Sequence, residues 1–223
     1  MKACRIAGCS RPAKGKDVRC AAHQTAHRRH GDALQKGVKA VELEPLKREI
    51  KSILGGQKDW SGKAVVGQLW AGVVDQARLT LDEYHEQGKA LPSWKVKAAQ
   101  TLSNLSKDVL AEDILVTVAS LYLYRELRPE RFVSDRAFVF QVVRRVRNMT
   151  LTSRGSWFDP ASGKTKHCYD TPREKEVMAL AQILGATFGG LGLAIAKAAM
   201  KHREQKQQLV RATKEAIMEI VQR

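Results

Sequence analysis

Residues 106–127 read SKDVLAEDILVTVASLYLYREL. Val109, Leu110, Ile114, Leu115, Val118 and Leu121 recur there at intervals of three and four, which puts them on one side of a helix. Ser106 offers an N-cap hydroxyl at one end, and Pro129 stands just beyond Leu127 at the other. A helix with such a face needs further apolar surfaces to cover it, and the flanking sequence supplies them as more helices. The expected fold class is therefore mainly α.

Upstream, Val65, Val66, Leu69, Trp70, Val73, Val74 and Ala77 mark a helix over 63–87, with Gly88 at its C-cap. Pro92 opens another run through Leu105. An earlier helix follows Pro45 and stops at Gly55-Gly56, and a short one runs from Cys20 towards Lys36 unless Gly31 ends it. Downstream, Ser134 caps an amphipathic helix, DRAFVFQVVRRVRNM. The stretch SRGSWFDPASGKTKHCYD, residues 153–170, breaks the helical period, and its Asp-Pro-Ala-Ser-Gly turn predicts a β-hairpin. Thr171-Pro172-Arg173-Glu174 reads as a helix start with a threonine cap. A final helix carries Leu209, Ile217, Ile220 and Val221 as a stripe. The expected parts are a metal module with its linker helix (1–56), a helical, winged-helix-like basic domain (63–175) and a C-terminal helical segment (176–223).

The 223 residues hold 39 Lys and Arg against 23 Asp and Glu, a formal charge of +16. Residues 1–60 carry a surplus of eight positive charges and 131–175 a surplus of six, while 61–130 is close to neutral. Two basic regions flanking a neutral helical block point to a polyanionic partner. Three of the four cysteines lie within the first twenty residues, a clustering that suits metal binding in a reducing compartment rather than a disulfide framework. Met1 to Cys9 has no apolar core of a secretory signal, so a cytoplasmic location is expected.

Cys4-x4-Cys9 forms a loop that can place two sulfurs on one metal, and Cys20-x2-His23 at a helix start brings an imidazole beside a third. Thiolates and an imidazole in a tetrahedron suit Zn²⁺, and four protein ligands make a structural site. His27 and His30 are alternative fourth ligands. The segment resembles a small zinc-knuckle family of bacterial and phage proteins, some attached to HNH-type homing endonucleases. The resemblance rests on Cys4, Cys9, Arg11-Pro12, Cys20, His23, Arg28, Arg29, His30 and Gly31-Asp32 and covers residues 4–32. It implies zinc binding and a DNA-handling context, without specifying a reaction.

Arg11, Lys14, Lys16, Arg28 and Arg29 would contact nucleic acid from this module. Arg144, Arg145 and Arg147 on the amphipathic helix, with Arg154, Lys164 and Lys166 on the hairpin, resemble a helix-plus-wing arrangement that would grip phosphates. Trp157, Phe158 and Tyr169 would stack on bases if exposed. The alternative is that the aromatics pack the hairpin and the arginines form a solvated face.

Met178–Met200 is apolar, rich in glycine and alanine, and long enough to be considered as a membrane span. Gln182, Thr187 and Lys197 interrupt it, which favours a buried helical hairpin or a homo-oligomer seam over a membrane. Catalysis of the HNH kind would have to use His167 or His202 with Asp159 and Asp170, and the required asparagine is missing, because Asn104 and Asn148 lie far from His167 in sequence. The leading expectation is a zinc-containing, non-enzymatic nucleic-acid-binding protein of bacterial or phage type, with DNA favoured over RNA. The alternatives are a metal-dependent endonuclease and a protein-interaction or membrane-associated factor using residues 178–200.

Overall fold

In the computed structural model, residues 2–55, 60, 62–87, 91–150, 153–169 and 171–221 are described; for 87, 153–155, 167–169, 216 and 219–221 this concerns the backbone alone. The chain is mainly helical: α1 (Ala21–His30), α2 (Ala40–Gly55), α3 (Gly62–Gln87), α4 (Ser93–Asp108), α5 (Ala111–Leu127) and α6 (Asp135–Arg147) precede an antiparallel hairpin, β1 (Ser153–Asp159) and β2 (Lys164–Tyr169). Then come α7 (Glu174–Leu184), a π-helical turn over Gly185–Gly189, and α8 (Gly190–Val221). The expected fold class and the hairpin are both present.

The stretch 106–127 is two helices rather than one. Val109 is extended (φ −128°, ψ 127°), and Leu110 caps α5, its side chain 71% exposed. Ser106 lies inside α4, where its hydroxyl donates to the Ser103 carbonyl (2.8 Å). Electrostatics favours the new start: Glu112 and Asp113 in the first turn of α5 meet the positive end of its macrodipole, although Asp108 at the end of α4 opposes that helix's own. Nor does α5 have a single buried face. Every residue from Ile114 to Leu121 is buried, as expected of a helix surrounded on all sides. The two polar members of that run satisfy themselves locally, with Thr117 donating to the Asp113 carbonyl (2.8 Å) and Ser120 to that of Val116 (2.6 Å).

Around α5 pack α2, α8, α3 and α6, and one apolar cluster runs from Val38 to Ala199. Its fully buried members include Phe188, Leu43, Ile50, Leu105 and Leu180, with Trp70 tilted against Phe188 at 5.7 Å. The apolar segment 178–200 does not turn back on itself. The π turn joins α7 to α8 in one line, burying Leu180, Leu184, Phe188, Ile195, Ala196 and Ala199 in that cluster. At Gly192 the helix runs so close to α5 that a Cβ would stand 3.1 Å from Val118 Cγ1. Glu174–Glu215 is long and apolar enough to cross a membrane by length and composition, although this buried face is already occupied by α5.

Two more helix starts move. Helix α2 begins five residues before Pro45, because Glu42 reaches back to the Lys39 amide (2.6 Å) and so secures the first turn. Pro92, as expected, stands immediately before α4. The cap of α7 is Arg173 rather than Thr171: Glu174 and Glu176 in its first turn are drawn to Arg136 (2.6 Å) and Arg147 (3.9 Å) of α6, and this tertiary pairing overrides the local threonine cap. Ser134 caps α6 as expected, accepting from the Ala137 amide (3.1 Å).

Candidate metal centre and the basic seam

The first twenty residues have too few apolar side chains for a core, and backbone pairing takes its place. Cys4 N–H donates to the Arg11 carbonyl (3.0 Å), Ala13 N–H to Lys2 (2.8 Å) and Arg5 N–H to Val18 (2.8 Å). Gly8 and Gly15 make the reversals at φ +75° and +61°, a left-handed conformation that glycine adopts without steric cost. Asp17 closes the second loop by accepting from both the amide and Nε of Arg19 (3.0 Å each). These bonds bring Cys4 and Cys9 beside Cys20 and His23, the first turn of α1.

The ligand atoms of Cys4, Cys9, Cys20 and His23 all lie within 4.8 Å of one another. His23 Nδ1 is 3.3 Å from Cys4 Sγ and 3.4 Å from Cys20 Sγ, and Cys9 Sγ is 3.9 Å from Cys20 Sγ. A tetrahedron with zinc–sulfur bonds of about 2.3 Å and zinc–nitrogen bonds of about 2.0 Å has edges of roughly 3.5 to 3.8 Å, so these four atoms can hold a metal ion. The electrostatics agrees. Burial pushes the Cys4 thiol up, but the amides of Ile6 and Cys20 and the His23 ring outweigh it and bring it down to about 6. The Arg11 backbone works to lower Cys9, yet burial and the neighbouring Cys4 and Cys20 sulfurs push it up. Three thiolates this close repel one another unless a cation sits among them.

Neither alternative ligand approaches the cluster in this way. His30 lies at the other end of α1, its Nδ1 3.3 Å from Gln141 Nε2. Because the Gln141 oxygen accepts from the Val38 amide (2.9 Å), its nitrogen is the donor and the His30 ring is neutral. Burial, then the charges of Arg144 and Arg29, hold His30 down at about 4. Burial also lowers His27, followed by the charge of Arg19.

Helix α1 ends at His30, short of Lys36, because Gly31 takes φ +80° and donates back to the His27 carbonyl (2.9 Å). The chain beyond is pinned to α6 and its approach. Arg136 Nε donates to the Gly31 carbonyl (3.1 Å), and buried Gln35 donates to Arg131 O (3.1 Å) while accepting from Val133 N–H (3.1 Å). Sequence reading gave no role to Gln35, Arg136 or Gln141. Their partners lie about a hundred residues away, so no local spacing marks them.

The basic residues divide by environment. Arg11, Lys14, Lys16, Arg28 and Arg29 are exposed on the module, and Lys164 and Lys166 on the hairpin, where Lys166 pairs with Asp159. The Arg154 side chain lies outside the described residues, as do those of His167, Cys168 and Tyr169. Trp157 (53%) and Phe158 (63%) are exposed. Arg147 is 8% exposed and paired with buried Glu176. Arg144 and Arg145 are half-buried and lowered by burial, Arg144 near Arg29 of α1 and Arg145 near Glu44 and Lys47 of α2. Lys47 of α2, unmarked by its sequence context, is also lowered by burial and feels Arg145.

Among the described residues, this is the single grouping of three or more His, Cys, Asp or Glu with metal-holding geometry. Comparison with protein-family models, with curated proteins and with solved structures finds no match to this chain. The likeness of residues 4–32 to a zinc knuckle therefore stands on the residues and on the geometry they adopt.

Proposed function

We propose that this is a nucleic-acid-binding protein whose N-terminal module is held together by a structural zinc ion. The observation that carries the reading is the convergence of Cys4, Cys9, Cys20 and His23 at the foot of α1, a helix without acidic residues whose last turn is His27, Arg28, Arg29 and His30. Zinc supplies folding free energy to a segment that buries little apolar surface. Four protein ligands fill its coordination sphere, so its task here is to fix α1 rather than to activate water.

The net charge of +16 supports a polyanionic partner, and the exposed cations on the module and the hairpin would meet the phosphate backbone. The pattern 4–32 favours DNA, in a bacterial or phage setting and in the cytoplasm. Fluorescence anisotropy with labelled duplex DNA, single-stranded DNA and RNA over a salt series tests the proposal. Submicromolar binding that weakens steeply with salt is the expected result. No binding at low salt to any of the three would overturn it.

A further inference from the structure

The two basic regions, more than a hundred residues apart in sequence, meet. The last turn of α1 packs against α6, with His30 beside Gln141, and Arg144 one turn further along feels the charges of Arg145 and Arg29. No carboxylate answers them: among the described residues, Arg29, Arg144 and Arg145 have no ion-pair partner. Arg145 feels the charge of Glu44 without pairing with it, and Glu44 itself stands 4.0 Å from Lys47 Nζ. Among the described residues, the other arginines that are at least half-buried, Arg19, Arg125, Arg131, Arg147 and Arg203, each pair with a carboxylate.

Two further observations mark the seam. Arg144 Nη1 and Arg145 Nε are both buried without a hydrogen-bond partner among the described residues, a costly condition for a cation's donors. And Gly37 leaves the notch in which the Arg144 guanidinium lies: a Cβ there would collide with Nη1. Gly37 thus lets the Arg144 guanidinium lie at the seam beside Arg29, with N–H groups that no oxygen of the described residues accepts.

We infer that Arg29, Arg144 and Arg145, with Lys47 at the edge, form a phosphodiester seat across the seam between the metal module and α6. It rests on the nucleic-acid reading and assigns that reading its anchor. Arginine forks suit phosphate oxygens, and mutually repelling cations are relieved when a phosphate enters between them. Because Arg29 comes from α1 and Arg144 and Arg145 from α6, the seat is complete only when the metal centre holds α1 in place.

The test is the salt dependence of binding to labelled duplex DNA by the full chain. Each phosphate contact contributes about 0.9 to the slope of log affinity against log salt. Arg144→Gln with Arg145→Gln should lower affinity roughly tenfold or more at moderate salt and flatten the slope by about two units. Gly37→Ala alters no charge and should by itself displace Arg144, flattening the slope by about one unit. Arg29→Gln, on an exposed position, does the same without touching the core. Wild-type binding with an unchanged slope in these variants overturns the seat and leaves the function standing. Absence of wild-type binding overturns both. Metal removal should cost the wild type at least threefold more affinity than it costs the arginine double variant; equal losses would sever the link between module and seat. Binding to vesicles of anionic lipid that depends on Arg144 and Arg145, with none to DNA, would hand the seat to a headgroup and overturn the inference.

Discussion

The ring of Phe140 covers Gly31 so closely that a Cβ at Gly31 would stand 2.8 Å from Phe140 Cδ2. Gly31 also holds φ +80° there, so the residue that stops α1 is the one that lets the module settle on α6. Left-handed backbone costs a side-chain-bearing residue about 1–2 kcal/mol, and overpacking costs about 1–3 kcal/mol. Gly31→Ala should therefore destabilise the chain by about 2–5 kcal/mol in urea unfolding while the purified protein still binds zinc. An unchanged midpoint would mean that the contact carries no energy.

Removal of the metal separates module from body. The apolar cluster runs from Val38 to Ala199 and includes none of the four ligands. Cys20→Ser should thus lose its one equivalent of zinc by elemental analysis and lose amide protection over residues 2–30, while far-UV circular dichroism retains most of its helical signal. Retention of one tightly bound zinc per chain would refute the ligand set.

His30 makes stability depend on pH. Folded, its ring stays neutral down to about 4, while the unfolded ring takes up a proton near 6.5. The unfolded state therefore binds more protons between these values, so the contribution is whole above 6.5 and is lost as the pH falls towards 4. Urea unfolding at pH 7.5, 6 and 5 should show a steeper loss for the wild type than for His30→Gln. The metal ligands titrate in both proteins, so the difference between the two curves isolates His30, and parallel curves would exclude it.

Arg147 belongs to the interior with Glu176, and its substitution should act on folding. Removing one member of a buried ion pair costs about 3–5 kcal/mol, whereas replacing both by apolar residues often restores most of the loss. Arg147→Met should unfold earlier by about that amount, and Arg147→Met with Glu176→Leu should recover much of it. Thermal denaturation of the single and double variants checks the cycle; additive losses would show that the two side chains do not act as a pair.

The helical class, the hairpin and the four clustered ligands were legible because each has a local signature: apolar period, turn chemistry, cysteine spacing. What escaped was set by partners distant in sequence. Thr171 is a good cap by its own chemistry, but Glu174 and Glu176 answer to arginines on α6. The division at Val109–Leu110 carries neither glycine nor proline, and only Glu112 and Asp113 just beyond it hint at a second helix. The three arginines near the end of α6 look alike in sequence, yet Arg147 is buried while Arg144 and Arg145 sit at the seam. Their separation depends on where α1, α2 and α7 come to rest.

The π turn between α7 and α8 works as a phase corrector. An α-helix advances by about 100° per residue, and a π turn accommodates an added residue without ending the helix. Without it, everything after Gly189 would be rotated by about that angle relative to α7. Ile195, Ala196 and Ala199 would then swing off α5, and Arg203 would no longer point at Glu49. A single-residue deletion within Gly185–Gly189, though it would make a more regular helix, would act like a frameshift in three dimensions, leaving every later residue intact and aimed the wrong way.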